Sequence, residues 1–282
     1  MSLNNFIPKV WAANLISAKD KVHVFGAVAN KDYEGEISGF GDTVQISQIG
    51  AITVATYTKN STSITPEELQ DAASTLLIDQ SKYFAFKIDD VDKAQTKPKV
   101  MQEAMRKSAY ALKDTQDTAM GALYTEAGLS QNSNTTPVDM TSVNIEDEFL
   151  AVAETMDSAN AERERRFAII PPWVLTKLIL AGVSSLSDNV AVWLNGMLGR
   201  ALGFNFRESN NVSKNSTSWD KTRIICGVEG ESFTLAEQIV SVEAYRPESS
   251  FSDAVKGLHV YGHKIIRPDV TCVLYADKTA EA

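Results

Sequence analysis

Cysteine is nearly absent from this sequence: two thiols, Cys226 and Cys272, in 282 residues. That excludes a disulfide framework, and the lack of paired CxxC spacing excludes a cysteine zinc site. Both thiols sit in apolar stretches (RIICGV and TCVLY), where free cysteine is commonly buried. If the two met in space they could bridge; the expectation is two buried, reduced thiols in a chain of reducing-compartment origin. Positive charge is also in deficit, with 27 Lys and Arg against 36 Asp and Glu, a net charge of −9. A histone-like protein that grips nucleic acid by bulk charge is thereby excluded. No apolar run approaches the roughly 18 residues of a membrane-spanning helix. The first residues, MSLNNFIPKVWAANLISAKD, lack the basic start of an export signal.

Catalytic signatures are missing too. The chain contains no GxSxG, no GxxxxGK[ST], no GxGxxG and no HExxH. Gly39-Phe-Gly41 runs on into Asp-Thr-Val and so lacks the third glycine; it reads as a turn feeding a strand. His259 and His263 are four apart, but in a strand that spacing separates side chains by roughly 13 Å, which does not suit a shared metal. Asp89, Asp90 and Asp92 in IDDVD lack the rest of a calcium loop and read as a solvated turn or cap. Arg163, Arg165 and Arg166 alternate with Glu162 and Glu164, as in a salt-bridged surface. The four tryptophans show no stacking-platform spacing. No cofactor and no catalytic or metal-binding residue is indicated.

What is present is ordinary globular composition, 44% hydrophobic and 22% charged, in enough chain to bury a substantial core. Residues 1 to about 30 read as an apolar arm broken by Pro8 that packs on another surface. Residues 35–88 read as β. Val44, Ile46, Ile52 and Val54 recur with the two-residue period of a half-buried strand. A polar tip follows, with a capping box at Thr65 and Glu68, and then a second strand carries Phe84, Phe86 and Ile88 on one face. Such an excursion has unpaired edges and a thin core, so it leans on a partner. From about 97 to 127, Met101, Met105, Ser108, Leu112, Thr115, Ala119 and Leu123 form the stripe of an amphipathic helix. Pro98 suits its first turn and Gly128 its C-terminal stop.

Asn144 caps a second helix with Ile145, Phe149, Val152 and Met156 on one face. RRFAII is a short strand, and Pro172 opens a third helix. GFNFRES, TRIICGV, IVSVEAYRP, HVYGHKIIRP and TCVLYAD are strand-like, with a short helix expected around FTLAEQ. Mixed strands and helices indicate an α+β class. Arm plus excursion means surface awaiting partners, hence self-assembly.

The order of these parts resembles the major capsid proteins of tailed bacteriophages, which share the Hong Kong ninety-seven fold, and within them the gene-five-type coat proteins. The resemblance is carried by EGEISGFGDTVQI, LLIDQSKYFAFKIDDVDKAQ, KPKVMQEAM, LNGMLGRALGFNFRESNNV and SVEAYRPESSFSDAVKGLHVYGHKIIRPDVTCVLYAD, in that order over nearly the full chain. It implies an N-terminal arm (1–34), an extended E-loop (35–88) and a peripheral domain with a long spine helix (89–165). An axial domain (166–260) and return strands with the tail (261–282) complete it. It further implies a structural rather than enzymatic role: subunits form hexamers and pentamers that close an icosahedral shell around phage double-stranded DNA. The partners it implies are other copies of the chain, scaffolding and portal proteins, and DNA bound without sequence preference, with no membrane. The location it implies is the virion, with assembly in the host cytoplasm.

On that reading Phe6, Trp11, Val44, Ile46, Ile52, Val54 and Lys59 are candidates for contact between subunits. Lys97, Lys99, Arg106 and Lys107 are candidates to face DNA. Some family members link an E-loop lysine covalently to a neighbour's asparagine; Lys59 and Lys82 are present here, but no motif selects either. The rival readings are an encapsulin-like bacterial compartment shell and an oligomeric enzyme with an unrecognised site.

Overall fold

The computed structural model describes residues 24–33, 41–49, 54–59, 71–89, 99–182, 199–215, 220–248 and 252–278. The architecture is α+β: two sheets that share one long helix, and a hairpin packed on the smaller sheet. In chain order the elements are α1 (Phe25–Val28), β1 (Thr43–Ile49), β2 (Asp71–Leu77), β3 (Gln80–Asp89), α2 (Lys99–Gly121), β4 (Leu129–Gln131) and β5 (Val138–Met140). There follow α3 (Ile145–Ser158), β6 (Arg166–Ile170), α4 (Pro172–Leu180), β7 (Arg200–Ala201), β8 (Phe204–Glu208), β9 (Thr222–Val228), β10 (Phe233–Tyr245), β11 (Ser252–Ile265) and β12 (Cys272–Lys278).

The larger sheet runs β4-β12-β9-β6-β8-β7, with β5 also paired to β12. Parallel and antiparallel pairs are mixed: β6 runs parallel to β8 and antiparallel to β9. Every residue of β6 is buried, because the sheet is covered on both faces. Its alternating side chains split between two cores. Ala168 and Ile170 face Phe149, Val152 and Met156 of α3 and Val174 and Leu178 of α4. Phe167 and Ile169 face Phe25 and Val28 of α1, Met120 of α2 and Phe233, Leu235 and Tyr261 of the other sheet. The apolar run RFAII thus reflects burial on two sides. The sheet takes strands from both sides of residue 165.

The smaller sheet has the order β10-β11-β3, all antiparallel. FTLAEQ, expected as a short helix, is the start of β10: its alternation places Phe233 and Leu235 on the face toward α2. Two-residue periodicity outweighs helical propensity there. At mid-strand Phe84 of β3 lies directly opposite Gly257. A Cβ on that glycine would stand 2.4 Å from the Phe84 ring, so the ring covers a bare backbone across the ladder.

The hairpin pairs β1 with β2, Val44 opposite Leu76. This corrects the strand assignment expected from the sequence. The returning strand is DAASTLL, whose weak alternation hides it. The FAFKI run belongs to β3 and pairs with β11 instead. The helical stop is also different. The α-helix ends at Gly121 and continues as a 3-10 turn over Ala122–Glu126. Gly128 serves close packing: a Cβ there would meet the Pro268 carbonyl oxygen at 2.6 Å.

Candidate functional site

The hairpin base is built into the subunit. Val44, Ile46, Leu76 and Ile78 pack on Ala236 and Val260 of the smaller sheet. Gly262 permits this, since a Cβ there would meet the Leu77 carbonyl oxygen at 2.5 Å. The Lys264 ammonium donates to the Thr75 carbonyl at 2.8 Å. Val44 and Ile46 are therefore only 4% and 5% exposed inside their own chain, covered by the smaller sheet. Further out the picture reverses: Val54 is 94% and Tyr57 64% exposed, and Lys59 is exposed. The candidates Phe6, Trp11, Ile52 and Lys97 lie outside the described residues, as does the expected cap at Thr65 and Glu68.

Helix α2 lies across the smaller sheet, and its buried face carries two polar residues beside Met120 where the apolar stripe predicts none. Thr115 of that stripe is exposed and donates back to the Ala111 carbonyl. Gln116 and Asp117 are buried instead. Asp117 Oδ1 accepts from the Phe25 backbone N–H at 2.8 Å, and Asn211 Nδ2 donates to Asp117 Oδ2 at 3.2 Å. One carboxylate thus ties α1 and the loop after β8 to the helix. Next to it in the chain, Gln116 Nε2 donates to Glu237 Oε2 at 2.9 Å, and the same oxygen lies 3.4 Å from His259 Nε2. Lys31 stands 3.6 Å from the other oxygen. The His259 hydrogen bond holds the Glu237 carboxyl down at about 2, against the desolvation of its site. Gln116 and Asp117 fall between the stripe positions Thr115 and Ala119, so no signal in the stripe marks this seam.

Toward its N-terminal half α2 leaves an open groove of about 270 Å³ against β3, lined by Lys82, Tyr83, Phe84, Ser108, Leu112 and Thr115. The other edge of β3 pairs with no strand among the described residues. Of the DNA-facing candidates, Lys99 opens the helix. Lys107 is exposed, and Arg106 is held by both oxygens of Glu103 at 3.1 and 2.7 Å. The arginine cluster divides. Arg165 pairs with Glu162 and Glu231, whereas Arg166 is 2% exposed and binds Asp157 and the Ala161 carbonyl at the end of α3. It is a buried helix cap, not surface charge.

Chemistry-bearing side chains are scattered. His259 and His263 share one face of β11 with the Tyr261 ring between them, at 5.2 and 5.8 Å centre to centre. No cluster of three or more His, Cys, Asp or Glu forms among the described residues. No helix among them is long and apolar enough to cross a membrane.

No protein-family model matches the chain, and no curated protein does. Solved structures do. A chain from Mycobacterium phage Che8 superposes with a TM-score of 0.79 at 26% identity, over 97% of this chain and 98% of its own. The capsid structure of cyanophage P-SCSP1u matches with a TM-score of 0.77 at 18% identity, over 99% of this chain and 95% of that one. The chain has the phage capsid fold. The capsid of Ralstonia phage GP4 matches as well, with a TM-score of 0.66 at 13% identity, over 98% and 96% of the two chains.

Proposed function

We propose that this protein is the major capsid subunit of a tailed-phage shell, a structural protein whose activity is assembly. The observation that carries this reading is the end-to-end match to phage capsid structures. Copies form hexamers and pentamers that close an icosahedral container for double-stranded DNA. The larger sheet with α3 and α4 forms the axial part around each capsomer centre. Helix α2 and the three-stranded sheet form the periphery, and the hairpin with residues 54–59 is the E-loop that lies on a neighbouring subunit. Scaffolding and portal proteins act as partners during assembly in the host cytoplasm, and the mature location is the virion. The net charge of −9 suits a coat filled by a motor, since it does not hold DNA during assembly. No observation favours the encapsulin reading or an enzyme.

Negative-stain microscopy of the purified protein, with nuclease-protected DNA measured in particles from phage, tests the reading. Uniform closed shells with DNA in the phage particle support it. Small oligomers alone, or a native shell filled with protein cargo and no DNA, overturn it.

A further inference from the structure

The only two cysteines of the chain stand directly opposite each other. Cys272 of β12 is the register partner of Cys226 of β9 in an antiparallel pair. Direct partners in such a pair point to the same face, with Cβ atoms about 4.5–5.5 Å apart. Both side chains belong to the core formed with α3 and α4, and both are fully buried and reduced. A strand residue has at most two direct cross-strand partners among 282 positions. A disulfide needs Cβ atoms about 3.5–4.5 Å apart and Cα atoms about 4.4–6.8 Å apart, so a local adjustment of about 1 Å closes the bond.

We propose that Cys226 and Cys272 are a latent cross-strand disulfide, a covalent modification site set by peroxide once the protein leaves the reducing cytosol. The bond fastens β12, the last strand of the larger sheet, to β9. It also closes a loop that contains the entire β10–β11 hairpin. The reaction takes two electrons from the thiols and gives them to hydrogen peroxide. The Cys272 sulfur attacks one peroxide oxygen, the O–O bond breaks, and the sulfur becomes a sulfenic acid as water leaves. The Cys226 sulfur then attacks that sulfur, the S–S bond forms, the S–O bond breaks, and the departing hydroxide takes the remaining thiol proton as a second water.

Cys272 is the better first attacker. Burial pushes its thiol up to about 12, but a backbone hydrogen bond at Gln131 opposes the rise. Cys226 is pushed well above its ordinary value by burial and by Cys272 beside it. Both shifts make the thiolate scarce. The bond therefore forms slowly, on the timescale of local opening of β12, and once formed it is shielded from reductants by the same core. A disulfide is neutral and apolar, so it suits that core.

The test treats the purified wild-type protein with hydrogen peroxide or with dithiothreitol, then denatures it in an alkylating mass tag. The expected result after peroxide is a loss of both tagging sites, a mass lower by two hydrogens, and a Cys226–Cys272 linked peptide. Thermal unfolding should rise by about 5–10 °C relative to the reduced protein. The rise should vanish in Cys272→Ser and Cys226→Ala. Full tagging of both thiols after prolonged peroxide, sulfinic acid on either one, or linkage only between copies overturns the proposal. The reduced and oxidised wild-type samples carry the comparison even if a variant fails to fold. The readout does not depend on shell formation.

Discussion

The two sheets of this subunit share an apolar core but differ in how far the chain itself covers them. In the larger one the central strand is buried on both faces and aromatic rings interlock, with Phe149 5.1 Å from Phe206 and 6.3 Å from Phe204. In the smaller one Phe233, Leu235 and Tyr261 pack against α2 and the larger sheet, but beside them the contact turns polar, with Gln116 on Glu237 and His259 and with Asp117 on α1, and among the described residues the outer edge of β3 pairs with no strand. Apolar packing is non-directional and cumulative, so the first region completes itself within one chain. Hydrogen bonds fix geometry but add only about 1 kcal/mol each in net terms, so the second region is held in place without being closed. A surface held but not closed is what a neighbouring copy can complete.

The difference is tested most severely in the larger sheet. Phe149→Ala removes a fully buried ring from the centre of that core. It should cost about 3–5 kcal/mol, read by chemical denaturation of the subunit. A loss below about 1 kcal/mol would mean that the core does not depend on the ring.

A smaller loss is expected at the seam. Asp117→Ala leaves the buried Phe25 N–H without its acceptor and the Asn211 amide with Asp114 alone, at a cost of about 1–3 kcal/mol. Limited proteolysis should show new cleavage around residues 24–33, because that carboxylate is what fastens α1 to the helix. Asp117→Asn should recover part of the loss. Its oxygen can accept from Phe25, while its amide meets the Asn211 donor. Equal protease resistance in all three proteins would mean that α1 is held by apolar contact alone.

Little of this seam was legible in the sequence. The apolar stripe located α2 correctly because helical period is a local signal, and RFAII and TRIICGV were legible as strands for the same reason. β2 was not, since the alternation in DAASTLL is faint and its identity comes from pairing with β1. Gln116 and Asp117 lie beside the stripe rather than in it, their partners are 121 and 94 residues away in sequence, and no local pattern announces them. For the same reason Val44 and Ile46 read as candidates for inter-subunit contact: periodicity says which face is apolar, not which surface covers it.

A weaker effect, with a defined pH window, separates charge from packing at the same seam. The Glu237 carboxyl is lowered from 4.5 to about 2 in the folded protein. A group depressed on folding contributes stability above its unfolded value, and loses it as pH falls through the folded one. The contribution is therefore complete at neutral pH and fades between about 4.5 and 2. It amounts to about 1 kcal/mol once solvent screening of a partly exposed group is allowed for. Glu237→Gln should be less stable than wild type by that amount at pH 7, with the two curves converging at acid pH. Parallel curves from pH 7 to 2 would show that His259, Lys31 and Gln116 do not hold the carboxylate.

The smallest effect on the isolated subunit should be the largest on assembly. Val54 is 94% exposed, so Val54→Asp should change subunit stability by no more than about 0.5 kcal/mol. If residues 54–59 lie on a neighbouring copy, however, the carboxylate must be desolvated without a partner at each contact, and closed shells should be lost. A charge of the other sign separates the two possible causes. The subunit already carries −9, so repulsion between subunits would make Asp harmful and Lys tolerable, whereas loss of an apolar contact would make both block assembly. Microscopy and sedimentation of Val54→Asp, Val54→Lys and Val54→Ser read the outcome. The apolar reading expects shells only with Ser, at reduced yield. Normal shells from all three variants would remove residue 54 from the inter-subunit surface and leave the bare β3 edge and its groove as the place where a neighbour completes this half of the molecule.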